Sequence, residues 1–364
     1  MTRKSPIYQT VSKVLIYRLG SIGDTMVALP AFRLVAQTFP GAERRLLTNH
    51  SDGGKAAPMD MILGPMNLVH GYIKYPLKTR DPLTLCRLAF QIRQWGPQTL
   101  IYIAQPRGRF KILRDAIFFR ACGIRSLIGI PWVHDQQQCR KLDQAGFRES
   151  EAARLLRCLK SLGNGIAIDT LSMDLSLRDA ELREARRILN RWPAREAFVC
   201  ASIGTKSWIK DWGSDNWNSL FETWSAKHPG VGLIMVGTLD EYDLSQKVAG
   251  AWLGPTLNLC GNLTAREAAA VINAAILFVG HDSGPMHLAA SVGKPCVAIF
   301  GAQNMPGEWY PFGAHHRVLY HQTPCFGCRL KVRCDYDKKC IRSITIEEVD
   351  MAMEEVWARQ TKAG

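Results

Sequence analysis

The chain has 364 residues, is 47% hydrophobic and carries a formal charge of +14 with a sequence pI near 9.4. That length supports a sizeable buried core and two domains, and the absence of an apolar run of about 18 residues argues against a helical membrane span. The basic balance favours an anionic partner: nucleic acid, an acidic membrane surface or a phosphorylated substrate.

Residues 1–13 are polar and lack an apolar segment, so they read as a loose tail rather than a secretory signal. Residues 14–19 read as a buried strand. Gly20-Ser21-Ile22-Gly23-Asp24 follows, and the spacing of Met26, Leu29, Phe32 and Val35 predicts one helix over 25–38. Pro40-Gly41 ends it, and a second strand falls near 45–48. This opening has the strand–turn–helix order of a dinucleotide-binding unit, but GxGxxG is absent and the second strand ends in Thr48-Asn49 rather than an acid suited to a ribose. A nicotinamide-dependent oxidoreductase is therefore disfavoured. Residues 49–58 read as a mobile loop. A helix is expected over 83–94, a strand over 99–104, a helix through Arg114 to Cys122 and a strand over 126–130. Arg107, Arg109, Lys111 and Arg114 cluster just past a strand end, where α/β sheets place ligands. They are candidates for an anion site, although a solvated helix face would look the same.

Residues 151–162 read as a basic amphipathic helix, and 167–177 as an extended connector. The domain boundary is expected there, giving domains 1–175 and 176–364. A second α/β series follows: helix 178–191, strand 197–202, loop 204–212, helix 214–227, strand 231–236, a helix to about 249, strand 257–259, a helix capped by Thr264, and strand 275–280. Next comes His281-Asp282-Ser283-Gly284-Pro285-Met286-His287, then strand 296–301. Pro285 suits the first helical position and Gly293 the left-handed stop. A small-residue turn at the end of a parallel strand offers unpaired N–H groups at a helix N-terminus, a geometry that attracts phosphate. Helix 347–360 closes the chain. The recurring strand–helix order predicts two doubly wound parallel sheets.

Seven of the eleven cysteines are scattered and read as ordinary thiols of a cytosolic protein. Cys325, Cys328, Cys334 and Cys340 form C-x2-C-x5-C-x5-C. Zinc, an iron–sulfur cluster, free thiols and disulfides all remain open for them, since the second half lacks a tight C-x2-C knuckle.

Four separated pieces together resemble glycosyltransferase family 9, the heptosyltransferase-like enzymes of the GT-B class. They are Arg18-Leu19-Gly20-Ser21-Ile22-Gly23-Asp24 with Ala28-Leu29-Pro30; residues 204–212; residues 236–241; and residues 281–290. The resemblance implies two Rossmann-like domains facing across a cleft, an acceptor domain at the N-terminus and a nucleotide-sugar donor domain, with the Cys-rich segment 325–340, at the C-terminus. It implies an inverting transfer with no catalytic metal or other cofactor. Asp24 matches the family's general base, although an acid before a helix is also a routine cap. Lys210 matches a donor-site lysine that would neutralise the departing diphosphate, with Thr205 or Lys206 supplying a neighbouring polar contact. Glu241 matches a nucleoside-binding acid and Asp282 a donor-sugar contact. Ser283 and Gly284 would offer N–H groups to the diphosphate, and His287 would orient phosphate or pack locally. The implied partners are a nucleotide sugar, ADP-heptose first, and an anionic glycolipid acceptor such as a lipopolysaccharide core, met by Arg107, Arg109 and Lys111 at the cytoplasmic face of the inner membrane. The basic residues are not interleaved with an aromatic platform, so nucleic acid is not expected. The alternatives are a hexosyltransferase on the same scaffold and a non-catalytic nucleotide-sugar or glycan-binding protein.

Overall fold

The computed structural model describes residues 10–49, 59–76, 79, 81–105, 107–163, 172–190, 192, 197–330 and 333–363. The tail before residue 10, the loop 50–58 and the first half of the expected connector lie outside them. Two compact units are formed, Met1–Gln144 with Arg148–Met173, and Ala145–Phe147 with Asp174–Gly364.

The first unit holds β1 (Lys13–Tyr17), β2 (Glu43–Asn49), β3 (Gly71–Tyr75), β4 (Thr99–Tyr102) and β5 (Ser126–Ile128) in one sheet, order β3-β2-β1-β4-β5. The second holds β6 (Phe198–Ser202), β7 (Gly232–Met235), β8 (Thr256–Asn258), β9 (Leu277–His281), β10 (Cys296–Phe300) and β11 (Arg317–Tyr320), order β11-β10-β9-β6-β7-β8. Every pairing is parallel. The central strands are buried at nearly every position because helices cover both faces, which is why they read as continuous apolar runs. In each sheet the chain starts at the middle, winds one way, then returns to wind the other. The switch lies between β1 and β4 in the first and between β6 and β9 in the second, and loops leaving the carboxyl ends of those strands diverge to open a crevice.

Several local expectations change. The helix expected over 25–38 is two helices, Ile22–Val27 and Leu29–Thr38, with the break at Ala28. Pro30, in the first turn of the second helix, has no N–H to continue the ladder. The helix expected over 151–162 ends at Cys158 and is not a basic solvent face: Arg154 is buried and gives both its Nε and Nη2 to Glu151, each at 2.6 Å. The short edge strands β3 and β11 are not among the expected strands: β3 reads Gly-Tyr-Ile-Lys-Tyr with only Ile73 buried, and β11 is four residues with none buried.

The first core packs Leu15, Tyr17, Leu100 and Tyr102 against Ile112 and Phe119 of the helix Arg109–Ala121. The second is aromatic: Trp212 meets Trp217 edge-on at 5.1 Å, and Trp224 stacks on Trp252 at 5.3 Å.

Candidate functional site

In the first unit the switch point collects groups around Asp24. Asp24 lies in the first turn of Ile22–Val27, and the Ser21 backbone N–H donates to its Oδ2 at 2.7 Å, half of a capping box. The Ser21 hydroxyl donates to the same oxygen at 3.1 Å. Oδ1 accepts from the Gln105 amide, which arrives from the loop after β4. Gly20 has φ +136°, and a Cβ there would overlap the Asp24 side chain, so only glycine lets the carboxylate fold back over the turn. Arg18 is fully buried behind it. Its Nη1 donates to the Ile103 carbonyl at 2.6 Å, its Nη2 to the Asp24 carbonyl at 2.7 Å, and Nη2 stands 3.8 Å from Asp24 Oδ1. Burial lowers the Arg18 pKa, partly offset by the Asp24 charge. Asp24 is thus a carboxylate with fixed orientation whose side chain keeps 15% exposure, a geometry able to accept a proton from a bound hydroxyl.

The basic cluster divides. Arg107 is no free charge: its Nη2 donates to the Tyr17 hydroxyl at 2.6 Å and to Asp115 Oδ2 at 2.7 Å, and Tyr102 donates to the same oxygen at 3.0 Å. Arg109 and Lys111 are exposed on the first turn of Arg109–Ala121.

In the second unit the loop after β6 carries the short turn Trp208–Lys210, and the loop after β9 carries Asp282. The Lys210 ammonium meets Asp282 Oδ2 at 2.5 Å and the Asp282 carbonyl at 3.3 Å. Asp282 is 6% exposed and Lys210 20%. Beside them Ser283 stands at the N-terminal cap of the helix Gly284–Ser291, with Pro285 in its first turn, and its hydroxyl oxygen is buried with no hydrogen-bond partner among the described residues. A buried hydroxyl with no partner among the described residues, at a helix N-terminus and next to a lysine, offers the donors that an anion would need.

His281 supports this loop from below. It is fully buried, its Nε2 accepts the Trp212 backbone N–H at 3.0 Å, and Trp217 packs edge-on at 5.3 Å. Burial pushes its imidazole down to about 4, so it is neutral and holds the loop 204–212 as an acceptor. Glu241 projects across the carboxyl ends of β6 and β7. A Cβ on Gly204 or on Gly237 would overlap its carboxylate, so the loops leaving both strands carry glycine two residues past the strand end to admit it. It accepts from the Thr238 N–H at 2.9 Å, and burial raises its pKa while that hydrogen bond and Lys206 oppose the rise. Lys206 itself is exposed. The Thr205 hydroxyl closes its own loop, donating to the Ser207 carbonyl at 3.3 Å and accepting the Ser207 N–H at 3.3 Å. His287 is buried, 6.4 Å from the Trp309 ring.

Sequence reasoning missed Arg18, Gln105 and His281 as supports. Gln105 leaves the strand beside β1, so the sheet order alone would have flagged it; Arg18, a cation directly ending an apolar strand, was a legible signal.

No disulfide joins the four clustered cysteines in this structure; three are half-buried and Cys340 is buried. Burial raises the Cys340 thiol, and Cys325 and Cys334 add to the rise. The all-sulfur set has the chemistry for zinc or iron. Among the described residues, however, no three His, Cys, Asp or Glu side chains are gathered into a group that could hold an ion.

A family model described as glycosyltransferase family 9 (heptosyltransferase) matches residues 111–338. Lipopolysaccharide heptosyltransferase 3 of Escherichia coli is 27% identical over 142 residues, 38% of this chain and 41% of that protein, so the chain spans less than half the length of that curated relative. The crystal structure of a family 9 glycosyl transferase from Veillonella parvula is similar with a TM-score of 0.73 at 17% identity, covering 96% of this chain and 98% of that one. The E. coli heptosyltransferase WaaC with ADP-2-deoxy-2-fluoro heptose gives 0.62 at 16% identity, covering 94% and 99%. At these identities the solved structures establish a shared two-domain α/β fold of the GT-B kind.

Proposed function

The chain belongs to glycosyltransferase family 9, the heptosyltransferase family, and we propose that it moves a heptose from ADP-heptose to the lipopolysaccharide core with inversion at the transferred carbon. The single observation carrying the donor half is the Lys210–Asp282 pair beside the buried Ser283 hydroxyl, which has no partner among the described residues, at the switch point of the second sheet. A diphosphate would draw the Lys210 ammonium from Asp282, take a hydrogen bond from Ser283 and meet the N–H groups opening Gly284–Ser291. Asp282, released from the lysine, would accept from sugar hydroxyls. Glu241, set between Gly204 and Gly237, would accept from the ribose hydroxyls.

Asp24 is assigned the general base. The acceptor hydroxyl loses its proton to Asp24 as its oxygen bonds to C1 of the sugar, while the bond from C1 to the phosphate oxygen breaks and ADP leaves with the electron pair. Lys210 and the helix N-terminus stabilise that developing charge, and the scheme asks no metal to do so. Arg109 and Lys111 are assigned to anionic groups of the acceptor. Arg107, committed to Asp115, is assigned to hold the β1 and β4 ends in place. Work at the cytoplasmic face of the inner membrane follows from a glycolipid acceptor; among the described residues no helix is long and apolar enough to cross a bilayer. A structural metal at Cys325, Cys328, Cys334 and Cys340 belongs to this proposal, and it requires the sulfurs to draw closer than they stand.

Calorimetric titration of ADP, GDP, UDP and dTDP into wild type and Lys210→Ala tests the donor site. Selective ADP binding that weakens about tenfold or more in the variant supports it. Preference for another nucleotide replaces the donor, and no binding at all overturns the transfer reading. Asp24→Asn should bind ADP as wild type does and lose turnover.

A further inference from the structure

The helix Arg109–Ala121 is apolar on two opposite sides. At about 100° per residue, Ile112, Asp115, Ala116 and Phe119 share the side packed on the sheet, and all four are buried. Phe110, Leu113 and Ile117 fall on the side facing away and form a stripe at i, i+3 and i+7. Phe110 is 91% exposed, Leu113 50% and Ile117 61%. Trp132, 52% exposed, extends the stripe beyond β5. Between helix and β5 lies an open cavity of about 520 Å³ lined by Leu113, Ile117, Leu127 and Trp132, with Arg120 among the lining.

Charge borders the stripe on both sides. By the same helical geometry Arg109 and Arg120 fall along one edge and Lys111 and Arg114 along the other. The helix has a single acid, Asp115, and it is buried and paired with Arg107 and Arg114. The outward face is therefore bulky apolar groups bordered by cations, of which Arg114 is ion-paired with Asp115 while Arg109, Lys111 and Arg120 have no carboxylate partner among the described residues. Among the described residues Phe110, Leu113 and Ile117 each stay at least half exposed, and a contiguous exposed apolar stripe marks a surface that something else covers.

We propose that this face is a docking surface for an anionic lipid bilayer, with Phe110, Ile117 and Trp132 entering the headgroup boundary and the exposed Arg114 and Arg120 meeting lipid phosphates. The pattern of an apolar stripe with basic borders and an aromatic at the interface is that of a helix lying in a membrane plane. A second copy of the chain fits less well, since mating this face with itself would set like charges against one another. The inference stands on this face alone and does not rest on the sugar-transfer reading.

Co-sedimentation with vesicles of phosphatidylethanolamine and phosphatidylglycerol, against vesicles of phosphatidylcholine alone, provides the test. The wild-type chain should partition onto the anionic vesicles, weakly onto the neutral ones, and come off as salt is raised. Phe110→Ser with Ile117→Ser should cut the partition coefficient by at least about tenfold. Both positions are exposed, so the melting temperature and ADP affinity of that variant should match wild type, which shows that it is folded. Equal partition of variant and wild type, no preference for anionic vesicles, or a sedimentation-equilibrium dimer that the double substitution dissolves would each overturn the inference. A chain that binds ADP but ignores vesicles sinks this inference alone; one that binds vesicles but no nucleotide sinks only the transfer reading.

Discussion

Breaking the Lys210–Asp282 pair from its two ends should give unequal costs. At 2.5 Å the gross Coulomb attraction is roughly 7 kcal/mol at an effective dielectric of about 20, and desolvation of the two groups offsets most of it. What remains depends on which partner is left behind. Lys210→Ala strands a carboxylate that is 6% exposed, whereas Asp282→Asn strands an ammonium that is 20% exposed on a flexible stem able to reach water. We expect Lys210→Ala to cost about 2–3 kcal/mol, below the range for a fully buried pair because the site is partly open, and Asp282→Asn about 1 kcal/mol. The double variant should be more stable than Lys210→Ala alone, since no charge is left unpaired. Urea denaturation monitored by tryptophan fluorescence reads these differences, and the larger one corresponds to a melting shift of roughly 5–10 °C. ADP binding supplies a second axis. Asp282 competes with the diphosphate for the same ammonium, so Asp282→Asn should bind ADP as tightly as wild type or more so. A cost for Asp282→Asn equal to that of Lys210→Ala, together with weakened ADP binding in Asp282→Asn, would refute the argument.

Arg18→Met should destabilise the first unit by about 3 kcal/mol, because it leaves the Ile103 and Asp24 carbonyls without their buried donor; chemical denaturation measures it, and ADP affinity, a property of the other unit, should stay put. The His281 imidazole falls from 6.5 to about 4 on folding, so between those values the unfolded chain takes up a proton that the folded one refuses. Its stabilising contribution is full above pH 6.5 and is lost as pH falls toward 4. His281→Gln, whose amide oxygen can still accept from Trp212, should flatten stability against pH in that window. Glu241 has the opposite sign: its raised pKa favours the folded state at low pH and loses that advantage as pH rises above 4.5, so Glu241→Gln should steepen the loss toward acid. Elemental analysis of anaerobically purified protein should find zinc or iron that is lost in Cys325→Ser with Cys328→Ser; metal-free wild type would leave the four cysteines as thiols or disulfides.

Much of the local structure was legible residue by residue. The apolar runs of β1, β6, β9 and β10 declare strands covered on both faces, the helix expected over 83–94 is found at Pro82–Trp95, and residues 214–227 form the expected helix at the expected bounds. Such features rest on backbone preference and hydrophobic period, which act over a few residues. The candidate residues were legible as motifs too, but their surroundings were not. Lys210 and Asp282 are 72 residues apart in sequence, and Gln105 and Asp24 81. They meet because parallel pairing places β9 beside β6 and β4 beside β1, a choice made by the packing of whole layers. The same choice turned Arg107, one of four similar cations in the sequence, inward to Asp115 and left Arg109 and Lys111 outside. Sequence by itself determined which segments are strands and helices and which residue types stand at their ends. Only the tertiary structure decided which of those ends share a crevice, and so which charges are paired, buried or free, because that depends on strand order and the desolvation it imposes, and neither acts between sequence neighbours.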